Sequence, residues 1–318
     1  MATDQRLKLR VSAVRAEARD VLLIELRDPQ GARLPAFTAG AHLEITLDQG
    51  LIRHYSLCND PAERDRYLLG IGLARDSRGG SKLIHDTVRV GSALTVSVPR
   101  NNFPLDASND LAVLIAGGIG ITPVLAMIRA CEASGRPWQL YYCTRNRQRA
   151  AFYEDLRALP PNCVHFHFDD EQPALFDAAA RLADVPATSH VYCCGPAPLM
   201  TAVQAATANR DPATVHFEWF TASAAQPSAD QPFEILLRSS GKRLRVPAGR
   251  SILDVLEDNG EGVPYSCREG LCATCRTPVL AGVPEHRDKL LSPAERAAND
   301  QMLICVSRAK TALLELDL

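Results

Sequence analysis

"LAVLIAGGIGITP" spans residues 111–123. Its first half is a continuous apolar run, which suits a strand buried on both faces of a parallel sheet. Glycines then break the run, and a helical pattern, "PVLAMIRACEAS", starts at Pro123. Gly118 and Gly120 let backbone approach a pyrophosphate. Thr122 and Pro123 suit the N-cap and first position of the helix, whose N-terminus favours an anion. The full GxGxxG is absent, because Thr122–Pro123 replaces its closing part. Alone, the loop does not separate a nucleotide site from an ordinary strand–helix turn.

Downstream, "WQLYYCT", "CVHFHF" and "HVYCCG" alternate with helical stretches, so residues 107–225 read as a doubly wound α/β domain. "YCCGPAPLM" (192–200) is a second loop at a strand end and strengthens the first, because such sheets bind ligands at the carboxyl ends of their strands. It contributes Cys194, Gly195 and Pro196; Cys193 reads as a core thiol. "TRNRQR" (144–149) ends another strand. Thr144 and Arg145 are its cofactor-facing candidates, and its three arginines raise the question of a 2′-phosphate. In "HFEWF" (216–220) alternation puts Glu218 and Phe220 on one face, with Phe217 and Trp219 in the core.

Upstream, residues 1–106 hold short runs of alternating polarity, such as "VLLIELRD", "HLEITL" and "ALTVSVPR", separated by turn signals. This is the pattern of an antiparallel barrel. "RHYSL" (53–57) ends one such strand, and "GLARDSRGGSKLIHD" (72–86) leads from another into a helix. Arg53 suits a phosphate, Tyr55 a ribityl chain or ring, and Ser56 the edge of a flavin, with His54 between them. Ala74 and Arg75 precede a helix start at which Gly79, Gly80 and Ser81 offer N–H groups to a phosphate.

Residues 226–232 read as a linker to a third unit, 233–318, of α+β type. Its loop "CREGLCATC" and a later cysteine set Cys267, Cys272, Cys275 and Cys305 in the spacing C-x4-C-x2-C-x29-C. Structural zinc uses paired short knuckles, and a thioredoxin-type CxxC would leave Cys267 and Cys305 unexplained. Four thiolates so spaced are the plant-type [2Fe–2S] pattern, and the small residues Gly270, Ala273 and Thr274 let the loop wrap a cluster.

Composition bounds the remaining partners and the compartment. The 318 residues carry a formal net charge of −2 without a dominant basic tract, which argues against a nucleic-acid partner. No apolar run reaches the length of a membrane span, and the polar "MATDQRLKLR" lacks a signal-peptide core, so a cytoplasmic protein is expected. Ten cysteines in a reducing compartment are not expected to form disulfides.

Over essentially its whole length the chain resembles the phthalate dioxygenase reductase and vanillate demethylase reductase type. "RHYSL", "RGGS", "PRNNFPL", "AGGIGITP", "VYCCGP", "VHFEWF", the cysteine loop and "CVSRAK" carry the resemblance. Cys58 after "RHYSL" and Ala273 in the cysteine loop depart from residues common there. The resemblance implies a flavin barrel, an NAD domain and a C-terminal plant-type (β-grasp) ferredoxin. It further implies FMN rather than FAD, and NADH as reductant. Electrons would pass through FMN and the cluster to a Rieske oxygenase component, or alternatively to a cytochrome P450 or other haem acceptor. On this reading Thr122 touches the flavin, Cys194 and Glu218 flank the nicotinamide, and Phe220 covers the flavin.

Overall fold

The computed structural model describes residues 5–47, 50–74, 79–221 and 230–318. The chain divides into two compact units, Met1–Glu218 and Trp219–Leu318.

The first unit begins with six strands: β1 (Arg6–Ala18), β2 (Val21–Arg27), β3 (His42–Thr46), β4 (Ile52–Ser56), β5 (Tyr67–Gly72) and β6 (Ala93–Ser97). They pair antiparallel in the order β4-β3-β6-β1-β2-β5. The two end strands meet where Leu57, just beyond β4, bridges Leu69 of β5, which closes the sheet into a barrel. Alternation supplies the filling: Leu9, Val11, Ile24, Leu26, Leu43, Ile45, Leu69 and Ile71 point inward and are almost fully buried. Helix α1 (Gly80–Thr87) lies between β5 and β6.

The chain then enters five parallel strands, β7 (Ala112–Gly117), β8 (Trp138–Thr144), β9 (Val164–Phe168), β10 (His190–Cys194) and β11 (Val215–Glu218). Helices α2 (Ile121–Ser134), α3 (Tyr153–Arg157), α4 (Ala178–Leu182) and α5 (Ala197–Ala206) connect them. The sheet order β11-β10-β7-β8-β9 makes β7 and β10 neighbours that are not consecutive in the chain. The winding direction therefore reverses between them, and a doubly wound sheet opens its ligand crevice at that point. All six residues of β7 are buried, as its unbroken apolar run requires.

Barrel and parallel sheet share one core. Val21, Leu23, Ala39, Cys58 and Leu68 of the barrel cluster with Ile121, Val124, Leu125 and Tyr142 of the α/β part. Cys58 is fully buried there and its thiol donates to the Leu68 carbonyl at 3.2 Å. Phe152, at φ 58°, donates its backbone N–H to Glu17 on β1. Polar contacts thus reinforce the apolar junction.

The second unit is a mixed five-stranded sheet of order β13-β12-β18-β14-β16, with the small pair β15-β17 beside it. Its elements are β12 (Phe233–Leu237), β13 (Arg243–Val246), α6 (Ile252–Asp258), β14 (Arg276–Ala281), β15 (Pro284–Glu285), α7 (Pro293–Ala298), β16 (Gln301–Leu303), β17 (Arg308–Ala309) and β18 (Leu313–Leu316). Ser251 caps α6 in a reciprocal box with Asp254, and Ser292 caps α7 in the same way with Glu295. Helix α6 buries Ile252, Leu253, Val255 and Leu256 on the sheet. No helix among the described residues is long and apolar enough to cross a membrane.

Candidate electron-transfer site

In the first unit, Arg53 on β4 and the start of α1 come together. A Cβ on Gly80 would lie 2.5 Å from Arg53 Cγ, so the arginine stem rests on the glycine backbone at the head of the helix. Gly79, the N-cap, has φ 96°, a left-handed conformation that a side chain would strain. Ser81 Oγ accepts from Ala74 N–H at 3.3 Å. Two stretches far apart in sequence thus join into one cationic helix-terminus site of the kind that holds a phosphate. Arg75 lies outside the described residues. His54 stacks obliquely near His42, with ring centres 5.2 Å apart. Tyr55 packs against the barrel core, and burial pushes its hydroxyl up to about 12.

Three residues from three elements converge at the crevice. Ser56 Oγ, at the end of β4, donates to Glu218 Oε2 at 3.4 Å. Cys194 Sγ, at the end of β10, lies 4.0 Å from the same oxygen. Burial pushes the Glu218 carboxyl up to about 8, against the lowering pull of the Ser56 hydroxyl. Residue 218 keeps some surface, but its carboxyl end is enclosed by Ser56 and the fully buried Cys194. Burial, with the Glu218 carboxyl next to it, likewise holds Cys194 as a neutral thiol well above its usual range.

This carries a pH signature. Below about pH 8 Glu218 is protonated and can donate; above it, a negative charge faces any anionic dinucleotide. Flavin reduction by NADH in rapid mixing is expected to slow above an inflection near pH 8, and Glu218→Gln to remove that inflection. Because the folded carboxyl sits above its ordinary 4.5, its contribution to stability is lost as pH rises from about 4.5 through 8. The stability gap between Glu218→Gln and the parent should widen in the variant's favour over that window. A pH profile unchanged by the substitution would remove Glu218 from the reaction.

The glycine loop and the second loop pack backbone to backbone. A Cβ on Gly120 would stand 2.2 Å from the Cys194 carbonyl oxygen, and one on Gly195 would stand 2.9 Å from Gly117 Cα. The absence of a side chain at Gly120 therefore lets the second loop lie against it, a packing role that its sequence context did not reveal. Gly118, at φ 53° with nothing within 4 Å of its would-be Cβ, is the one that leaves space. Tyr142 Oη holds the Gly118 carbonyl from below at 3.1 Å. Thr122 is not the N-cap: Gly120 takes that place, and a 3-10 turn, Gly118–Gly120, runs directly into α2. The Thr122 hydroxyl donates to the Ile119 carbonyl at 2.9 Å, and its methyl packs over Gly70 of β5. Gly117 and Gly70 are the residues that sequence reasoning passed over. Gly117 stood unassigned beside Gly118 in the glycine loop and Gly70 sits inside a strand, and the close approach of Pro196 and Thr122 reveals them.

At the end of β8, Thr144 is buried and its hydroxyl donates to the Asn146 carbonyl at 2.9 Å. Two of the three nearby arginines are committed to carboxylates: Arg147 forks onto Glu171 at 2.6 and 2.9 Å, and Arg149 meets Asp20 at 2.7 Å. Arg145 is exposed, and its guanidinium makes no hydrogen bond or ion pair within the described residues. Phe217 and Trp219 are only partly buried, not core residues: Phe217 lies on the edge strand β11, and Trp219 follows it, with Lys289 Nζ 5.0 Å from its ring centre. Phe220 is 38 % exposed and belongs to the second unit.

In the second unit the four cysteines meet. Cys272, Cys275 and Cys305 are buried and Cys267 partly so. Their thiols contact one another, Cys267 with Cys272 and Cys305, and Cys275 with Cys305. No three His, Cys, Asp or Glu side chains among the described residues are arranged around a single metal ion. The backbone is turned inward: Glu269 N–H and Leu271 N–H donate to Cys267 Sγ at 3.3 and 3.5 Å, and Cys267 N–H to Cys272 Sγ at 3.4 Å. Inward N–H groups of this kind are donors that sulfur ligands of a cluster accept. Arg268, Gly270 and Ala273 have φ of 56°, 70° and 63°. Three left-handed residues within 268–273 wrap the loop around its own sulfurs, and Ala273 holds at ~1 kcal/mol of strain the turn a glycine would make freely. Four adjoining thiols, three of them buried, with inward N–H donors fit a cluster of two irons and two sulfides.

Comparison with known proteins agrees with this geometry. Residues 235–310 match the 2Fe-2S iron-sulfur cluster binding domain, and 114–205 the oxidoreductase NAD-binding domain. The chain is 47 % identical over 317 residues to the phenoxybenzoate dioxygenase subunit beta of Ectopseudomonas oleovorans, covering 100 % of this chain and 99 % of that one. A solved phthalate dioxygenase reductase, described as a modular structure for electron transfer from pyridine nucleotides to [2Fe-2S], is 42 % identical. It covers 99 % of this chain and 98 % of its own, with a TM-score of 0.74. An intact type IV self-sufficient cytochrome P450 monooxygenase is 37 % identical with a TM-score of 0.91. That match covers 98 % of this chain but only 41 % of the P450 chain.

Proposed function

The chain belongs to the phthalate dioxygenase reductase family, and from that membership we propose that it is the NADH-dependent reductase component of an aromatic-ring Rieske oxygenase or O-demethylase, working in the cytoplasm. The observation that carries this reading is the order of three sites in one chain: a phosphate cradle on the barrel, a nucleotide crevice at the switch between β7 and β10, and a four-thiol loop. When bound, FMN accepts the two electrons of a hydride together and releases them singly to a [2Fe–2S] centre.

The residues have separate tasks on this reading. Arg53 and the N–H groups of Gly79–Ser81 hold the single phosphate of FMN. Tyr55 lies along its body, with His54 and Ala74 beside it, and Ser56 and Thr122 address its edge. Gly118, with the Gly195–Pro196 turn, admits the NADH pyrophosphate, and Thr144 and Arg145 bound its adenosine end. Cys194 and Glu218 enclose the nicotinamide in a neutral niche. Cys267, Cys272, Cys275 and Cys305 ligate the cluster. We assign 1–106 to FMN, 107–225 to NADH, 226–232 to a linker, and 233–318 to the cluster; residues 226–229 of that linker are outside those described.

The phosphate cradle supplies the test. One phosphate site suits a mononucleotide, so acid-released flavin should chromatograph as FMN, and recovery of FAD would overturn the assignment. The likeness to a P450 chain favours a second reading, in which the acceptor is a haem protein. Coverage of whole reductases from end to end favours the oxygenase. Reduction of a purified Rieske component, set against that of a P450, decides between them.

A further inference from the structure

We propose that the segment His286–Leu291 is a clamp that positions the cluster ligands, with Asp288 as its key positioning residue. This rests on the cluster reading above and concerns residues outside the cysteine motif.

The four thiols come from two separated parts of the chain, the 267–275 loop and the stretch around Cys305. The segment touches both. On the loop side, Lys289 N–H donates to the Gly270 carbonyl at 3.1 Å. A Cβ on Gly270 would stand 2.9 Å from Asp288 Cα and 2.7 Å from Val306 Cγ2. Gly270 is thus wedged between the clamp and the residue that follows Cys305. On the Cys305 side, Arg287 N–H donates to Ser307 Oγ at 3.2 Å, and Ser307 is fully buried.

The clamp is itself braced. Asp288 is 2 % exposed, and its Oδ1 accepts from Leu290 N–H and Leu291 N–H at 2.9 and 2.7 Å. Arg296 of α7 donates to the Asp288 carbonyl at 2.6 Å and to the Leu291 carbonyl at 3.0 Å. Among the described residues, the other carboxylate oxygen of Asp288 and both ring nitrogens of His286 are buried without a hydrogen bond, and His286 Nδ1 lies 3.9 Å from Asp288 Oδ2. Buried polar atoms left so are unfavourable, and a fold keeps them where position matters more than local stability. Here the position they share is the back of the cysteine loop.

Asp288→Ala strips the acceptor from two buried N–H groups and frees the loop's support, whereas Asp288→Asn keeps an acceptor oxygen for both. Iron release to a chelator, read from the visible absorbance of the purified full-length protein, should be about tenfold faster in Asp288→Ala, in line with loss of a ligand-orienting neighbour. The reduced-cluster EPR spectrum should broaden as well. Asp288→Asn should restore both to near the parent, and Ser307→Ala should reproduce part of the loss from the opposite side. NADH reduction of the flavin should be unchanged in all three.

Val246→Ala is the stability control, because Val246 is fully buried in β13 and its truncation loosens the core of the same unit without a bond to the clamp. Equal iron loss in Val246→Ala and Asp288→Ala would overturn the proposal, since general loosening would then explain both. So would parent-like retention in Asp288→Ala. A parent protein without two irons per chain would instead overturn the cluster reading itself.

Discussion

Cys272→Ala abolishes electron delivery to one-electron protein acceptors while leaving hydride transfer from NADH to the flavin intact. Cys272 is 6 % exposed and accepts the Cys267 N–H at 3.4 Å, so its sulfur lies inside the wrapped loop and no other side chain can substitute for it. A cluster short of one thiolate is lost or loses its potential, because a coordinating neighbour cannot be recruited from a backbone already held at three left-handed residues. The hydride step uses residues of the first unit, Met1–Glu218, which has its own core. Cytochrome c reduction should therefore fall to background, while anaerobic bleaching of the flavin by NADH keeps its parent rate. A variant that still reduced cytochrome c at the parent rate would take the cluster off the route.

Gly120→Ala produces the converse defect, with a large loss of flavin reduction by NADH and an intact cluster spectrum. The new methyl would stand 2.2 Å from the Cys194 carbonyl oxygen and 2.5 Å from its carbon, well inside contact distance. The atoms it meets are backbone, so no side chain can rotate away; the loops after β7 and β10 must separate. Ser56, Cys194 and Glu218 hold their geometry across that same junction. A displacement of about 1 Å at a reacting centre costs on the order of a hundredfold in rate, which is the loss expected here. Gly118→Ala is the informative partner: it meets nothing within 4 Å, so at φ 53° it adds only about 1 kcal/mol of backbone strain and leaves the two loops together, and flavin reduction should fall far less than in Gly120→Ala. A Gly120→Ala protein that reduced its flavin at the parent rate would show that the packing of the two loops does not set the crevice.

Much of this was legible along the chain because it depends on local periodicity and spacing. The apolar run of β7 required burial on both faces, and all six of its residues are buried. The alternation through β2 and β3 required a two-sided antiparallel sheet, and the barrel is one. Four cysteines at plant-type spacing needed a loop that turns back on itself, and its glycine and alanine take the left-handed conformations that make the turn.

Other features depend on groups distant in sequence, and no local pattern encodes them. The N-cap expected at Thr122 falls at Gly120, and the packing of a second loop on Gly120 was not visible, because a glycine beside a loop and one beside a phosphate look alike in sequence. The barrel and the parallel sheet read as separate stretches, yet Cys58 and Leu68 share a core with Ile121 and Tyr142. The arginines of "TRNRQR" could not be told apart until Glu171 and Asp20 claimed two of them. The chain alone determined which elements form and which cofactor chemistry they suit, since hydrophobic period and ligand spacing act over a few residues. The tertiary structure alone decided which side chains share an environment: it enclosed the Glu218 carboxyl, joined Arg53 to the head of α1, and set Asp288 behind the cysteine loop. Desolvation and close packing depend on what lies within a few ångströms in space, whatever the separation along the chain.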